Sequence, residues 1–586
     1  MTGPIDALAQ RTEWTALEVL LRYLKAEGAE VVFGIPGGLL HPFFAAVDAD
    51  PELRLVIARH EEGAAFMADG YARVSRRLAV CAATGGPGAT NLVTGVACAF
   101  ADGVPLLVIT GQVATPDHGR GALQETGREG IDIVEMFRPI TKYTAMVTSA
   151  ASLARHLRRA LRLALTGRQG PVHLNVPLDL WREPVREGWF EPDTYRPRTT
   201  AFDRAAVQQA AEALLDARYP ALLAGSGVYS GSAEGQLMAL AELLPARVAT
   251  SPRGKGSFPE DHPLSLGVLG FAGHAQARET MLGDTVDVLL TAGSSLNETT
   301  TYHWSPSLRA GKLLLQIDID PDRVGRNYPV DIPLVGDVQT ILTELLYHLH
   351  RAIRSGRTPS SRWGTEPALV RGHERFRSPA LRVSDAVPIT PQRWRHELEE
   401  VLPPGAVIVS DTGGHTLFNL HDLCLRKGQS FVLNLGFASM GHGVCAPIGA
   451  ALAEPSRPVI AIVGDACFTM NGMELVTAVE YGIPVIWIVE NNYMHGITFH
   501  GSKLLTPERP LECVRARRQL DIAGIARAMG LAVWVVDRPG QLGDAVCEAI
   551  RAQGPALIDV RVDPGVPPPL EDRALSIAGQ HGSPRE

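Results

Sequence analysis

Short runs of apolar, often β-branched residues alternate with longer helix-like patterns along the whole chain, and this alternation constrains the fold most. The runs include "AEVVFGI", "LRLVIA", "PLLVITG", "PALLAGSG", "DVLLTAG", "AVIVSD", "PVIAIVGD" and "PVIWIVEN". Strands that are apolar on both faces and separated by helices are typical of parallel sheets covered on both sides. The alternation therefore predicts an α/β fold of the doubly wound kind.

Two polar, proline-containing stretches interrupt the alternation and divide the chain. The first is "WREPVREGWFEPDTYRPRTT", and the second is the long connection that ends near Pro391. A chain of 586 residues exceeds one hydrophobic core, since single cores rarely grow past about 250–300 residues. We therefore predict three doubly wound parallel-sheet domains, over residues 12–185, 203–350 and 391–562.

Composition and charge exclude several classes of partner. The formal net charge is -8, and no basic stripe with interleaved aromatics is present, so no nucleic-acid partner is expected. The seven cysteines are scattered without a Cys-x-x-Cys pair, which favours reduced thiols in the cytoplasm over a zinc site. No apolar run approaches the roughly 18 residues that span a bilayer, and the N-terminus has no signal-peptide pattern, so no membrane partner is expected.

Asp465 ends a strand that has the composition of a buried one. An unpaired carboxylate there costs several kcal/mol, so a cation or several hydrogen-bond donors should accompany it. We expect "MNGMELVTAVEYG" to follow as one helix, capped by Asn471 and closed by Gly482, and the next strand to end at Asn491-Asn492.

In such a strand–helix–strand unit Asp465 and Asn492 emerge at the same carboxyl edge of the sheet. A carboxylate and an amide oxygen make half of a Mg²⁺ shell whose remainder is phosphate, a backbone carbonyl and water. The alternative is that Asp465 only caps the following helix and that the asparagines make a turn.

Gly464-Asp465-Ala466, the intervening helix and Asn491-Asn492 resemble the thiamin diphosphate motif. Over roughly residues 12–562 the chain resembles the thiamin-diphosphate enzymes of the acetolactate (acetohydroxyacid) synthase-like family. The resemblance implies pyrimidine-binding, central and diphosphate-binding domains, in that order. It also implies Mg²⁺ held by Asp465, Asn492 and the backbone carbonyl of Met494. Ala466 stands where the motif more often has Gly, a minor departure.

The resemblance assigns the rest of the coenzyme site. "RHEEGAAFMADGYAR" places Glu61 where the family glutamate bonds the aminopyrimidine, whereas Glu62 points about 100° away on a helix. In "LGFASMGHGVCAPIGA", Met440 takes the place of the bulky residue under the bend of the coenzyme. The glycines of "SDTGGH" allow backbone N–H groups to approach phosphate oxygens. The implied cofactor contacts are Glu61, Thr412, Gly413, Gly414, His415, Ala438, Met440, Gly464, Asp465, Ala466, Cys467, Asn492, Met494, His495 and Gly496.

The implied reaction is decarboxylation of a 2-oxo acid followed by carboligation to a second carbonyl compound. "TGGPGATNLVTG", "VPLLVITGQV", "GALQETG" and "ITKY" resemble the synthase branch and put Gln112, Gln124 and Lys142 at family active-site positions. Three positions depart from that pattern: Leu123 replaces Phe, Tyr143 replaces His, and Gly501 stands near the position of a pocket Trp. Loss of two aromatic walls predicts an acceptor or donor larger than pyruvate.

The resemblance leaves FAD open. "LLAGSG", "LQIDIDPDRVGRN" and "VGD" resemble the flavin-binding framework, but "GSSLN" at Gly293–Asn297 lacks the family's Arg. Family members place each active site between two subunits, which implies a homodimer or homotetramer acting on small-molecule 2-oxo acids.

Three other functions remain as alternatives. A non-ligating thiamin-diphosphate decarboxylase would release free aldehyde. An oxidoreductase built around the Gly225 loop is disfavoured because no full Gly-x-Gly-x-x-Gly is present. A catalytically silent relative is disfavoured because Glu61 is retained.

Overall fold

The computed structural model describes residues 13–185, 188–196, 201–363, 374–572 and 577. They fall into two compact units. The first contains residues 1–198, 434–456 and 471–483, and the second contains the remaining segments. Parts of both polar connections, at 186–187, 197–200 and 364–373, lie outside the described residues.

The N-terminal sheet has six parallel strands in the order β3-β2-β4-β5-β7-β6. Its strands β4, β5 and β7 are buried throughout, which explains their continuous apolar runs. A short antiparallel pair, β1 with β8, accompanies it. The strands are β1 (Trp14–Thr15), β2 (Val31–Ile35), β3 (Arg54–Ile57), β4 (Ala79–Ala83), β5 (Leu106–Gln112), β6 (Tyr143–Met146), β7 (Val172–Pro177) and β8 (Pro184–Val185). The helices are α1 (Ala16–Ala26), α2 (His41–Ala49), α3 (Glu61–Ser75), α4 (Pro87–Asn91), α5 (Val93–Asp102), α6 (Ile133–Phe137), α7 (Ala150–Leu165) and α8 (Pro192–Tyr195).

The central sheet is also parallel and six-stranded, in the order β11-β10-β9-β12-β13-β14. The strand order changes direction between β9 and β12, the place where open α/β sheets bind ligands. The strands are β9 (Pro220–Ala224), β10 (Arg247–Thr250), β11 (Ser265–Val268), β12 (Val288–Ala292), β13 (Leu313–Asp318) and β14 (Ile332–Val335). The helices are α9 (Arg204–Asp216), α10 (Ser226–Ser230), α11 (Glu234–Leu243), α12 (Ala275–Leu282) and α13 (Val338–Arg354).

The C-terminal sheet has the order β16-β15-β17-β18-β20-β19, which is the same relative order as in the N-terminal sheet. Both β17 and β18 are buried along their whole length. The strands are β15 (Val407–Ser410), β16 (Ser430–Leu433), β17 (Val459–Gly464), β18 (Val485–Asn491), β19 (Ala532–Val536) and β20 (Ala556–Arg561). The helices are α14 (Pro379–Arg382), α15 (Pro391–Val401), α16 (Gly414–Asp422), α17 (His442–Ala453), α18 (Asp465–Asn471), α19 (Leu475–Tyr481), α20 (Gly496–Leu505), α21 (Ile522–Ala528) and α22 (Leu542–Ala552).

The prediction of three parallel sheets flanked by helices is confirmed. The prediction of one helix after Asp465, capped by Asn471, is wrong. Helix α18 already begins at Asp465, a 3-10 turn at Gly472–Glu474 follows, and α19 then runs to Tyr481. Asp465 accepts the N–H of Ala466 and so starts the helix early. Gly482, at φ 62°, ends α19 as expected.

Helices α17 and α19 belong to the first unit, together with the N-terminal sheet. No helix among the residues that the structure describes is both long and apolar enough to cross a bilayer.

Candidate active site

The Asp465 carboxylate faces the loop that follows β18. It accepts the N–H of Ala466 at 2.7 Å, and the backbone N–H groups of Tyr493 and Met494 also donate to it. Burial raises the pKa of Asp465 to about 7, and the nearby Glu490 carboxylate adds to the rise, although the backbone donors oppose it. The sheet edge therefore brings Asp465 against residues 493 and 494, and helix capping accounts for only one of its hydrogen bonds.

Asn491 and Asn492 have different partners. The Asn491 amide donates to Asp559 at 3.0 Å, whereas the Asn492 side-chain oxygen accepts the N–H of Met494 at 3.1 Å. Asn492 also lies beside Gly496, where an added Cβ would come within 2.9 Å of its amide nitrogen. Asn492 thus belongs to the same turn as Met494, next to Asp465.

The loop after β18 borders a cavity of about 210 Å³. His495 donates its backbone N–H to Val514, and Ala516 donates to Tyr493, so residues 514–516 fix the loop. The lining residues include Asp465, Ala466, Tyr493, Met494, His495 and Arg515. Among the described parts of the chain, no three His, Cys, Asp or Glu side chains cluster as metal ligands. A Mg²⁺ ion would instead use carboxylate, amide and carbonyl oxygens, which this turn offers.

A second turn, between β15 and α16, leads into His415, the second residue of α16; the turn and His415 together are called the His415 turn. The His415 side chain is only 4% exposed, and Nε2 makes no hydrogen bond. Burial, and next the charge of Arg395, lower its pKa to about 3, so the imidazole is neutral at pH 7. Gly464 lies alongside, because a Cβ there would come within 3.1 Å of Nδ1 of His415.

The other residues of "SDTGGH" run from the end of β15, at Ser410, to the start of α16. Cys467 Sγ donates to the carbonyl of Thr412 at 3.4 Å, and the Gly413 N–H donates to Thr416. Gly414 begins α16. A buried imidazole nitrogen without a partner beside two glycine turns fits a phosphate group, which supplies an acceptor for it.

Glu61 is the first residue of α3. It is 9% exposed, and its Oε2 accepts the side-chain amide of Asn91 at 2.9 Å. Glu62 points elsewhere, towards the amide of Asn471. The preceding turn is fixed by Glu474, whose carboxylate accepts the backbone N–H groups of Arg59 and His60. Asn91 therefore holds Oε2 of Glu61, and the other carboxyl oxygen, Oε1, lies beside Gly88.

Gln124 lies near Glu61, and Gln112 fixes the segment that contains Gln124. Gln124 adopts φ 63° and packs on Gly86, where a Cβ would come within 3.1 Å of its side chain. The Gln112 side-chain oxygen accepts the N–H groups of Val113 and Thr126, while its amide nitrogen is buried without a partner. The structure thus brings both glutamines to the end of the N-terminal sheet near Glu61.

Lys142 and Tyr143 lie elsewhere. The Lys142 ammonium donates to the carbonyls of Leu163, Thr166 and Arg168 at the end of α7. Tyr143 hydroxyl bonds to His156 on α7. The structure does not bring Lys142 together with Glu61, because its charge is already used to cap a helix.

Ala438 and Met440 lie in the loop between β16 and α17, in the first unit. Ala438 adopts φ 62°, and Met440 is partly exposed. The hydrogen bonds that hold this loop were not predicted from the sequence.

A buried ionic group behind His415 was not predicted from the sequence. Arg395 on α15 donates to Glu490 at 2.7 Å and to the carbonyl of His415 at 3.0 Å, and both charged side chains are buried. The one available signal is Glu490 itself, a charged residue inside the apolar strand "PVIWIVEN".

The central sheet has a narrow crevice at its reversal point. A Cβ on Gly225 would come within 2.2 Å of the carbonyl oxygen of Gly293, so the chain segments there are in close contact. The remaining space is about 20 Å³ and is lined by small polar residues and Arg253.

Three family models match the chain along its length. They are described as "Thiamine pyrophosphate enzyme, N-terminal TPP binding domain", over residues 14–136, the corresponding "central domain", over 207–345, and the "C-terminal TPP binding domain", over 411–560. The fold and the site are thus those of a thiamin-diphosphate enzyme.

The curated relatives narrow the class. The chain is 34% identical to "Probable acetolactate synthase large subunit" of Methanocaldococcus jannaschii, over 94% of this chain and 93% of the relative. It is 33% identical to "Acetolactate synthase" of Mycobacterium bovis, over 91% and 86%, and 32% identical to "Acetolactate synthase large subunit" of Parasynechococcus marenigrum, over 96% and 90%. The chain belongs to the acetolactate synthase-like family of thiamin-diphosphate enzymes.

Proposed function

We propose that this protein decarboxylates a 2-oxo acid and joins the remaining acyl group to a second carbonyl compound, using thiamin diphosphate and Mg²⁺. The observation that carries the proposal is the Asp465 carboxylate against the turn of Asn492 and Met494, beside the unpartnered Nε2 of His415. A non-ligating decarboxylase is the second candidate, because the same site would serve the first half of the reaction.

Each residue has a definite task in this proposal. Asp465, the side-chain oxygen of Asn492 and the carbonyl of Met494 would hold Mg²⁺. Gly413, Gly414 and His415, with Gly464, Ala466, Cys467, His495 and Gly496, would surround the diphosphate. The His415 imidazole would donate a hydrogen bond from Nε2 to the diphosphate, whose negative charge favours the protonated ring, and so satisfy its buried nitrogen.

Glu61 would take part in proton transfer at the coenzyme. Asn91 fixes one carboxyl oxygen of Glu61 by a hydrogen bond. The other oxygen would then hold or release a proton at the aminopyrimidine of the coenzyme. The coenzyme, when bound, supplies the nucleophile and the electron sink of the reaction. Met440 and Ala438 would lie against the coenzyme, and Gln112 and Gln124 would orient the 2-oxo acid. Lys142 has a structural task at the end of α7.

The acceptor is proposed to be bulkier than pyruvate. Leu123 is 88% exposed on its loop, and a Cβ on Gly501 would meet nothing within 4 Å. Both positions therefore leave space where larger side chains would restrict it.

The active sites are proposed to lie between subunits of a cytoplasmic homodimer or homotetramer. Mixing Glu61→Gln and Asp465→Asn proteins tests this arrangement. If each site combines residues of two subunits, random pairing restores the mixture to about a quarter of wild-type turnover, because half of the dimers are heterodimers and each of these holds one intact site of two. If each site lies within one chain, the mixture stays inactive.

The reaction itself is tested by product mass. The purified protein is incubated with thiamin diphosphate, Mg²⁺ and pyruvate, alone and with a panel of second 2-oxo acids and aldehydes, beside the Glu61→Gln control. A coupled acyloin supports carboligation and identifies the acceptor. Free aldehyde without a coupled product supports the decarboxylase instead. The visible absorbance of the same preparation tests for FAD, which the proposed chemistry does not require.

A further inference from the structure

The loop from Asn434 to Gly441, here called the Met440 loop, is held at its first end by α5. The Asn434 amide donates to Sγ of Cys98 at 3.2 Å, and the Gly436 N–H donates to Asp102 at 3.1 Å. Gly436 lies so close to Asp102 that an added Cβ would come within 2.1 Å of its carboxylate. The start of the loop is thus fixed to the last residues of α5.

The other end of the Met440 loop is held by α3. His442, the first residue of α17, bonds through Nε2 to Asp69 at 2.6 Å, and both side chains are fully buried. Phe66 packs edge-on against the imidazole, with ring centroids 5.4 Å apart. Gly441 adopts φ 88° and lies against Asn471, where a Cβ would clash at 1.9 Å.

Arg73 joins the two ends. Its guanidinium donates to Asp69 at 2.5 Å and to Asp102 at 2.9 Å. Burial alone would raise the pKa of Asp69, but the charge of Arg73 and the hydrogen bond of His442 outweigh it and lower that pKa to about 2. Asp102, Arg73, Asp69 and His442 therefore form one buried, charge-assisted chain of hydrogen bonds.

Two members of this chain of hydrogen bonds, Asp69 and Arg73, lie on α3, the helix that begins with Glu61. Residues 61 and 69 are eight positions apart on α3, about 12 Å along the axis. In the proposed function Glu61 and Met440 both contact the coenzyme. A change of a fraction of an ångström in the distance between them would therefore lower the reaction rate. A loop with two positive-φ residues, Ala438 and Gly441, gains its rigidity from such directional bonds.

We propose that His442 and Asp69, joined by Arg73 to Asp102, are positioning residues that hold Met440 in register with Glu61 for catalysis. The inference rests on the proposed function, because it assigns these residues to the geometry of the coenzyme site. Hydrogen bonds join the four side chains to one another. The four residues act through the Met440 loop and α3.

The test compares His442→Phe, Asp69→Asn and the conservative His442→Gln, whose amide still donates to Asp69. His156→Phe is the matched control, since it makes the same substitution in the same unit, where His156 bonds Tyr143 rather than the loop. Each variant is measured for melting temperature, for thiamin diphosphate affinity by fluorescence quenching, for the near-ultraviolet circular dichroism of the bound coenzyme, and for kcat at saturating coenzyme.

We expect His442→Phe and Asp69→Asn to bind thiamin diphosphate within about threefold of wild type but to lose about 10- to 100-fold in kcat with an altered dichroism band. His442→Gln should recover most of the rate, and His156→Phe should keep the wild-type rate and band. Unchanged kcat in folded Asp69→Asn, recovery at higher coenzyme concentration, or a loss that follows melting temperature across all four variants would overturn the inference. If wild type binds no thiamin diphosphate, the proposed function fails and this inference fails with it; failure of the variants alone affects only the positioning role.

Discussion

Replacing Arg395 by Met should strongly destabilise the second unit. The fully buried guanidinium donates to Glu490 at 2.7 Å, to Asn419 and the carbonyl of Pro391 at 2.8 Å, and to the carbonyl of His415 at 3.0 Å. Without it, the Glu490 carboxylate keeps only the indole N–H of Trp394, at 3.2 Å. Breaking a buried ion pair from one side costs about 3–5 kcal/mol.

The two partners should not be equivalent. Glu490→Gln leaves Arg395 with three oxygen acceptors, so we expect a smaller loss of about 1–3 kcal/mol. The double variant Arg395→Met/Glu490→Leu should recover most of the stability, because an apolar pair of similar volume avoids the desolvation of both charges.

Thermal unfolding followed by tryptophan fluorescence measures these losses. At about 2–4 °C per kcal/mol for a domain of this size, Arg395→Met should lower the Tm by about 6–20 °C. Its thiamin diphosphate affinity should also fall, because the His415 carbonyl loses its donor. A Tm drop below about 2 °C, or a double variant as unstable as Arg395→Met, would contradict the reasoning.

Three further predictions concern other parts of the molecule. Gly449→Ala should lower the free energy of unfolding by the cost of overpacking, about 1–3 kcal/mol, because its Cβ would lie 1.8 Å from the carbonyl oxygen of Met67. Gly235→Ala, with nothing within 4 Å, should keep the wild-type Tm, and equal melting curves for the two variants would refute the steric argument. Burial lowers the pKa of His421 to about 4 and of His173 to about 3, so the unfolded chain takes up protons first. As pH drops from about 6.5 to 4, the free energy of unfolding should therefore fall by up to about 1.4 kcal/mol per pH unit and group, which thermal melts detect as a falling Tm with a shallower slope in His421→Gln. Gly501→Trp should reduce kcat/KM for a bulky acceptor by about 10-fold or more and leave kcat/KM for pyruvate nearly unchanged. Competition between the two acceptors, followed by product mass, measures this difference. An equal loss for both acceptors would contradict a role of Gly501 in acceptor size.

The sequence was sufficient where one local rule decides the structure. Fully apolar strands separated by helices predict parallel sheets, and the parallel-strand rule alone places Asp465 and Asn492 at one edge. It was insufficient where partners are far apart in the chain. Arg395 and Glu490 are separated by 95 positions, and Asp69 and His442 by 373, so no periodicity connects them. Lys142 shows the same limit, since only the folded α7 reveals the carbonyls that hold its ammonium.

The two buried ionic groups have a common physical reason. The His415 turn and the Met440 loop both need glycine or positive-φ backbone to approach a ligand closely, and such turns bury few apolar side chains of their own. Directional bonds from behind must therefore fix them: Arg395 bonds the His415 carbonyl, and Asp69 bonds His442. Buried ion pairs add little net stability compared with apolar packing, but they specify geometry when every member is satisfied. A charged residue within an apolar strand just before a ligand-binding turn, as Glu490 is before Asn491-Asn492, is then a sequence signal that such a support exists.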